Sequence, residues 1–414
     1  MSGDYVVIGG GLAGAKAVET LRAEGFAGRI VLVTAESHRP YERPPLSKGY
    51  LLGKEPRDKA FVHGSDWYVQ NGVELRTDTR AVRIDRDAHQ VELSTGERVG
   101  YAKLLLATGS SPRKLGVPGA DLDGVHYLRT LGDSDRLRSA LVPGARVVVI
   151  GAGWIGLEVA AAAQTLGATT TVVETDRLPL RRVLGDEVAR TFVYLHQANG
   201  VTFNFGTGVQ RIIGDGKVRA VELTTGVEVP ADVVVVGIGI TPNVELAEAA
   251  GLEISNGVVT DESLRTSDPD IYACGDVASY WHPLLKTRIR VEHWSNALNG
   301  GKAAGQAMLG QPVSYDRLPY FYTDQYDLGM EYSGYVEPGG YDSVVFRGDP
   351  SVVDAKAPQF LVFWVREGRV LAGMNVNIWD VHEDIKAVVH AGLSGRTVDA
   401  GRLADPNVPL ADLV

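Results

Sequence analysis

The chain has 414 residues, enough for about three domains at roughly 150 residues each. Its 44% hydrophobic and 22% charged residues are the proportions of a globular protein, not a disordered one. Acidic residues outnumber basic ones 51 to 41, and a net charge of −10 argues against nucleic-acid binding through phosphate neutralisation.

Met1-Ser2-Gly3-Asp4 leads directly into an apolar run, so no signal peptide is expected and the protein reads as cytoplasmic. Tyr5-Val6-Val7-Ile8 predicts a buried strand, and Gly9-Gly10-Gly11-Leu12-Ala13-Gly14 follows it. Leu12, Ala13, Ala17, Val18 and Leu21 recur at helical spacing, with Gly25 as a stop. Ile30–Val33 is the next strand, and Glu36 stands beyond its end. Strand, Gly-x-Gly-x-x-Gly, helix, strand, acid is the pattern that binds a dinucleotide. The first Gly allows the tight turn, the second lets backbone approach a pyrophosphate, and the third lets helix and strand pack closely. The helix N-terminus offers free N–H groups to the phosphates, and the acid accepts from a ribose.

The pattern recurs once. Arg146–Ile150 is a strand, Gly151-Ala152-Gly153-Trp154-Ile155-Gly156 the turn, 157–166 a helix, Thr169–Val173 the second strand and Glu174 the acid. Val159–Val173 is an apolar-rich stretch without formal charge, too short and too polar to span a bilayer. Between these units Tyr101–Gly109 reads as a buried strand, and 232–239 and 271–276 are similar runs. The second unit therefore lies inside the first. The expected fold is α/β, with two Rossmann-like dinucleotide-binding domains, one inserted in the other, and a C-terminal α+β domain. Its boundaries are 1–112 with 242–315, then 113–241, then 316–414. The C-terminal part carries hairpin-like segments, Phe360–Val365 and Val370–Val376, and a helix near Asp380–Ala391.

Cys274 is the one cysteine, so neither an intramolecular disulfide nor a CxxC dithiol is possible. No ligand set for an iron–sulfur cluster or another metal is present.

These motifs resemble the FAD- and NAD(P)-dependent pyridine-nucleotide oxidoreductases of glutathione-reductase fold, and most of all the ferredoxin reductases of bacterial oxygenase systems (the putidaredoxin-reductase type). The resemblance rests on Gly9–Gly14, Arg43-Pro44-Pro45-Leu46-Ser47-Lys48, Ala107-Thr108-Gly109, Leu128-Arg129-Thr130, Gly151–Glu158, Gly275-Asp276 and Pro319–Gln325. It implies FAD in the first domain and NADH in the second.

It further implies that Glu36 holds the adenosine ribose of FAD, that Ala13 belongs to the phosphate turn and that Val82 reaches adenine through its backbone. Arg43, Lys48 and Arg129 become charged groups around the flavin nucleotide, and Asp276 the partner of the ribitol chain. Asp276 also reads as a helix N-cap before Val277. Glu292-His293-Trp294 would bring a helix N-terminus to the pyrimidine end of the flavin; plain packing is the other reading of Trp294. Glu158 is the only formal charge between Arg146 and Glu174. It is either on a solvated helix face or, as the resemblance implies, paired with Lys48 beside the flavin atom that receives hydride. Trp154 is either an aromatic gate over the flavin or a core aromatic.

Glu174 would face the 2′-phosphate of NADPH, at a cost of about 1 kcal/mol in water-like screening and about 4 at an effective dielectric near 20. NADH is therefore expected, although Arg177, Arg181 and Arg182 lie downstream. The family's redox-active cysteine pair is missing, and Cys274 reads as a small buried residue. Glutathione, lipoamide and thioredoxin reduction are thus excluded. Electrons are expected to leave singly for a partner carrying the cluster, a [2Fe–2S] ferredoxin serving an oxygenase such as a haem monooxygenase. Lys286, Arg288 and Arg290 are candidates for its docking patch or members of a solvated hairpin; Lys302 and Arg317 are weaker candidates. Tyr320-Phe321-Tyr322 stands where near relatives carry tryptophans. Reduction of rubredoxin, quinone or monodehydroascorbate is a second reading, and a redox-sensing flavoprotein like apoptosis-inducing factor a third. Monomer and homodimer both remain open.

Overall fold

The computed structural model describes residues 3–414, so the reading based on Met1 and Ser2 lies outside the described residues. Two compact units are formed. The first comprises residues up to Arg43, then Arg57–Ser111 and Thr241–Pro319; the second comprises Pro44–Pro56, Pro112–Ile240 and Tyr320–Val414.

The first unit is built on a five-stranded parallel sheet. Its order is Ile271–Ala273, Lys103–Leu106, Tyr5–Ile8, Ile30–Val33 and Val73–Arg76. Val6, Val7, Ile30, Val31 and Leu32 are all fully buried. Such unbroken apolar runs are what a parallel sheet covered on both faces requires. The helix Leu12–Ala23 crosses from the first strand to the second and packs against the helix Trp294–Met308. The two helices touch through small residues: a Cβ on Gly301 would lie 2.3 Å from the carbonyl oxygen of Ala13.

The second unit repeats the design. Its parallel sheet runs Thr202–Phe205, Thr169–Glu174, Arg146–Ile150, Val233–Val236 and Val125–His126. The helix Trp154–Thr165 follows the glycine turn. The C-terminal residues add a five-stranded antiparallel sheet: Tyr320–Gln325, Leu328–Gly334, Arg369–Val376, Phe360–Arg366 and Ser343–Gly348. The hairpin expected near 360–376 is present, closed at Glu367-Gly368, and the helix His382–Leu393 packs on it.

This C-terminal sheet does not carry a core of its own. Phe321, Met330, Tyr332 and Trp364 join Val147, Leu157, Leu184 and Phe192 in one cluster. Trp364 Nε1 donates to the Leu184 carbonyl at 3.1 Å, which satisfies the one polar atom of a ring with no exposure. Residues 44–56, placed by sequence in the first domain, pack into the second unit. Leu51 belongs to that same cluster, and Ser134 Oγ donates to the Leu46 carbonyl at 2.9 Å.

Candidate functional site

Each unit presents a glycine cradle at the carboxyl end of its central strand. In the first, Gly9 has φ +126°, and a Cβ there would sit 2.0 Å from the Ala107 carbonyl. A Cβ on Gly14 would sit 2.1 Å from the Gly9 carbonyl, whereas one on Gly11 would meet nothing within 4 Å. The outer glycines are fixed by packing and the middle one faces open space. The second cradle matches. Gly151 (φ +97°) closes against the Gly237 carbonyl at 2.4 Å and Gly156 against the Gly151 carbonyl at 2.1 Å, while Gly153 is open. Gly11 and Gly153 are the residues that cap the following helices, and neither helix has a side-chain cap. Their first-turn N–H groups are left for an anionic ligand.

In the first unit several of the expected residues bond to one another. Glu36 accepts from Arg43 at 3.1 Å and from the Tyr41 hydroxyl. Burial works against the Arg43 charge, but Tyr41, Glu36 and Asp276 more than offset it and hold the guanidinium above its ordinary range. Asp276 accepts from Ser110 Oγ at 2.7 Å. Ala107 is buried, the Thr108 side chain donates to the Asn243 carbonyl at 2.8 Å, and Gly109 turns the chain at φ +66°. Gly275 (φ +74°) brings its backbone against Ala13. Glu292 pairs with Arg290, and His293 caps the helix Trp294–Met308. Burial pushes the His293 imidazole down to about 4, so it is neutral at neutral pH. Trp294 Nε1 donates to Glu42 at 3.0 Å. Val82 is 52% exposed in the strand Ala81–Asp85.

In the second cradle the Glu174 carboxylate is tied to the turn. It accepts from the Ala152 N–H at 2.7 Å and the Asp176 N–H at 2.8 Å. Arg177 and Arg181 are both held by Asp186. Trp154 is half-buried against Phe192 and Phe321, Ile155 is exposed, and Arg129 precedes the helix Leu131–Ala140 in this unit.

Glu158 is not on a solvated face. It is 4% exposed, accepts from Lys48 Nζ at 2.7 Å, and also from Ser47 Oγ and Thr323 Oγ1. A buried carboxylate is tolerable only with such partners. The Lys48 ammonium lies 5.4 Å from the Tyr322 ring centre.

Residues 3–301 match the family described as pyridine nucleotide-disulphide oxidoreductase, and residues 320–414 match a reductase C-terminal domain. The chain belongs to the pyridine nucleotide-disulphide oxidoreductase family. It is 41% identical over 415 residues to the ferredoxin–NAD(+) reductase component of the anthranilate 1,2-dioxygenase system of Burkholderia cepacia, covering 99% of both chains. It is 37% identical over 417 residues to putidaredoxin reductase of Pseudomonas putida, covering 99% of this chain and 96% of the relative. A crystal structure of the covalent putidaredoxin reductase–putidaredoxin complex superposes with a TM-score of 0.92 at 36% identity, covering 99% of this chain and 97% of the other.

The protein is thus an oxidoreductase whose coenzymes are FAD and NAD(H). In this reductase the name's disulphide has no counterpart. Cys274 is the sole cysteine, and burial pushes its thiol up to about 12, which leaves it unreactive.

Two readings from sequence are corrected. Asp276 caps no helix: it lies in the short 3-10 turn Gly275–Val277, and the strand Ala278–His282 follows at once. Arg288 and Arg290 are not freely solvated members of a hairpin. Arg288 donates to the Thr260 and Ser279 carbonyls, and Arg290 to the Asp276 carbonyl, so both brace the hairpin. Only Lys286 of the three is exposed. Residues missed from sequence are Ser47, Thr323, Tyr41, Glu42 and Ser110. Each lies inside or beside a quoted motif, but nothing in one dimension tells which carboxylate the four hydroxyl side chains meet, or that Glu42 meets the Trp294 indole. Among the described residues no group of His, Cys, Asp and Glu could hold a metal, and no helix is long and apolar enough to cross a membrane.

Proposed function

We propose that the protein is an NADH-dependent ferredoxin reductase, carrying electrons from NADH through FAD to a [2Fe–2S] ferredoxin that serves an oxygenase. The observation that carries this reading is the lone, buried Cys274 in a chain with two dinucleotide cradles. FAD, when bound, takes two electrons as hydride from NADH and gives them up one at a time, so no thiol is needed between donor and cluster. The names of the two curated relatives, a dioxygenase component and putidaredoxin reductase, support the same class of acceptor.

In this reading the domains are 1–112 with 242–315, 113–241 and 316–414. Gly9, Gly11, Ala13 and Gly14 hold the FAD pyrophosphate, with Glu36 and Arg43 at its ribose and Asp276 at the ribitol chain. Ala107, Thr108, Gly109 and Gly275 shape the turns beside it, and Arg129 and Val82 serve the nucleotide. The N-terminus of Trp294–Met308, with Glu292 and neutral His293, faces the pyrimidine and stabilises negative charge there. Gly151, Gly153, Ile155 and Gly156 hold the NADH pyrophosphate, Glu174 its ribose, and Trp154 is the aromatic gate over the flavin. Glu158 holds the Lys48 ammonium in place at the reacting ring. The protein works in the cytoplasm.

The test is anaerobic mixing of FAD-loaded protein with NADH, followed by turnover with [2Fe–2S] ferredoxins, rubredoxin and quinones in parallel. Fast flavin bleaching and preferred reduction of a ferredoxin are expected. Turnover with quinones or rubredoxin alone would sink the assignment. Slow bleaching with a long-lived complex and no carrier reduced would favour a redox sensor.

A further inference from the structure

Beyond Lys48 and Glu158 the second unit contains a chain of buried polar groups that neither packing nor coenzyme binding explains. The inward face of the strand Tyr320–Gln325 carries Phe321, Thr323 and Gln325 at alternate positions. An inward strand face is normally apolar, yet Thr323 and Gln325 are each 1% exposed. His196, on the helix Arg181–Ala198, has no exposure at all. Burying three polar side chains is costly unless each is bonded, and a partly satisfied network is worse than an apolar core.

They are bonded in series. Thr323 Oγ1 meets Glu158 Oε1, Gln325 Nε2 meets Thr323 Oγ1 at 3.2 Å, His196 Nε2 meets Gln325 Oε1 at 2.8 Å, and Tyr326 Oη meets His196 Nδ1 at 3.4 Å. The direction of every link follows from the first. A carboxylate only accepts, so the Thr323 hydroxyl donates. Its lone pairs then face the Gln325 amide NH2, and the Gln325 carbonyl faces His196. His196 must therefore carry its proton on Nε2 and accept from Tyr326 on Nδ1. Burial keeps His196 neutral by pulling its imidazole down to about 4, which the scheme requires. The charged groups facing Glu158 are Lys48 and Asp324, and the chain reaches it through the Thr323 hydroxyl.

We propose that Thr323, Gln325 and His196 form a one-way donor chain that positions the Glu158 carboxylate, and through it the Lys48 ammonium, for hydride transfer. These are positioning residues, acting through Glu158. The inference rests on the function proposed above. Aligned hydrogen bonds polarise one another, so the donor reaching the carboxylate is stronger than an isolated hydroxyl. Without it the carboxylate keeps only Ser47 on one oxygen and Lys48 on the other, and the oxygen that holds the ammonium is less firmly fixed.

The experiment uses FAD-loaded holoenzyme and two readouts. First, Thr323→Val removes the donor at nearly constant shape. The rate of flavin bleaching at saturating NADH is expected to fall about tenfold, the loss of one charge-assisted bond. NADH affinity should change by less than twofold, and Thr323→Ser should restore the rate. Second, ring 15N shifts of His196, assigned by their loss in His196→Asn, should report the neutral Nε2-protonated form from pH 6 to 8. Unchanged bleaching in Thr323→Val, a Thr323→Ser variant as slow as Thr323→Val, or an Nδ1-protonated His196 would each overturn the inference. Failure of NADH to bleach the wild-type flavin would instead overturn the function on which it rests, and with it the catalytic role of the chain.

Discussion

Gly153 and Gly156 stand three residues apart in one turn, and substitution by Ala should damage different properties. At Gly156 the new methyl would lie 2.1 Å from the Gly151 carbonyl oxygen. Carbon–oxygen contacts are comfortable from about 3.3 Å, so the helix Trp154–Thr165 would have to withdraw by more than about 1 Å from a close-packed strand. Overpacking of that kind costs about 3 kcal/mol, or roughly 6–12 °C in Tm for a unit of this size. At Gly153 the methyl would meet nothing within 4 Å, and φ −78° with ψ −175° is extended backbone open to any residue. Loss of a good cap residue there costs about 1 kcal/mol, roughly 2–4 °C. The methyl would instead stand where a pyrophosphate approaches. Loss of one charge-assisted N–H contact of about 1.5–3 kcal/mol raises the NADH dissociation constant roughly 10- to 150-fold. The assay is a thermal melt of each FAD-loaded variant with an NADH titration of flavin bleaching. Gly153→Ala should melt near wild type and bind NADH poorly; Gly156→Ala should melt early. Wild-type NADH affinity in Gly153→Ala, or a wild-type melt in Gly156→Ala, would refute the division of roles between the glycines.

Replacing Glu174 with Gln keeps an acceptor for the Ala152 amide and removes a charge facing a 2′-phosphate; kcat/KM for NADPH should rise at least about fivefold relative to NADH. Asp186→Asn, which removes the carboxylate holding Arg177 and leaves Arg181 only Asp176, should push the same ratio further in that direction. Cys274→Ala should leave ferredoxin reduction within about twofold of wild type, and the native protein should not react with a thiol reagent until unfolded, because burial holds the thiol up at about 12. His196 is buried neutral, with its folded value near 4 against 6.5 when exposed. The unfolded chain therefore binds the extra proton first, and the stability from His196 is full above pH 6.5 and is lost as pH falls toward 4, by about 3 kcal/mol in all. Urea melts of wild type and His196→Asn between pH 7 and 4.5 should converge as pH falls; parallel curves would contradict the assignment.

Much of this protein is written along the chain. Both cradles are legible because close backbone approach demands Gly at fixed spacing, and a strand, a helix and an acid must follow at fixed distances. The unbroken apolar runs at 5–8, 30–33, 146–150 and 233–236 announce parallel strands covered on both faces, and they pair as such. The hairpin at 360–376 is legible for the same local reasons. Glu158 stood out as a lone charge in a long apolar stretch, and its partner Lys48 was reached only through the family's motif.

The rest was settled by packing between segments far apart in sequence. Asp276 looked like a cap because a polar residue precedes small ones, but pairing of 278–282 with its neighbours made that stretch a strand. Arg288 and Arg290 read as a docking patch or a solvated hairpin because sequence shows charge and not the carbonyls that the guanidinium groups reach. Thr323 and Gln325 stand in a quoted motif that gave them no role; only the approach of Glu158, 165 residues from Thr323, and His196, 129 residues from Gln325, gives their polarity a purpose. Local pattern fixes where the backbone bends and which face is apolar. Which buried polar groups meet, and in which direction their protons point, depends on contacts that exist only once the sheets and helices have closed on one another.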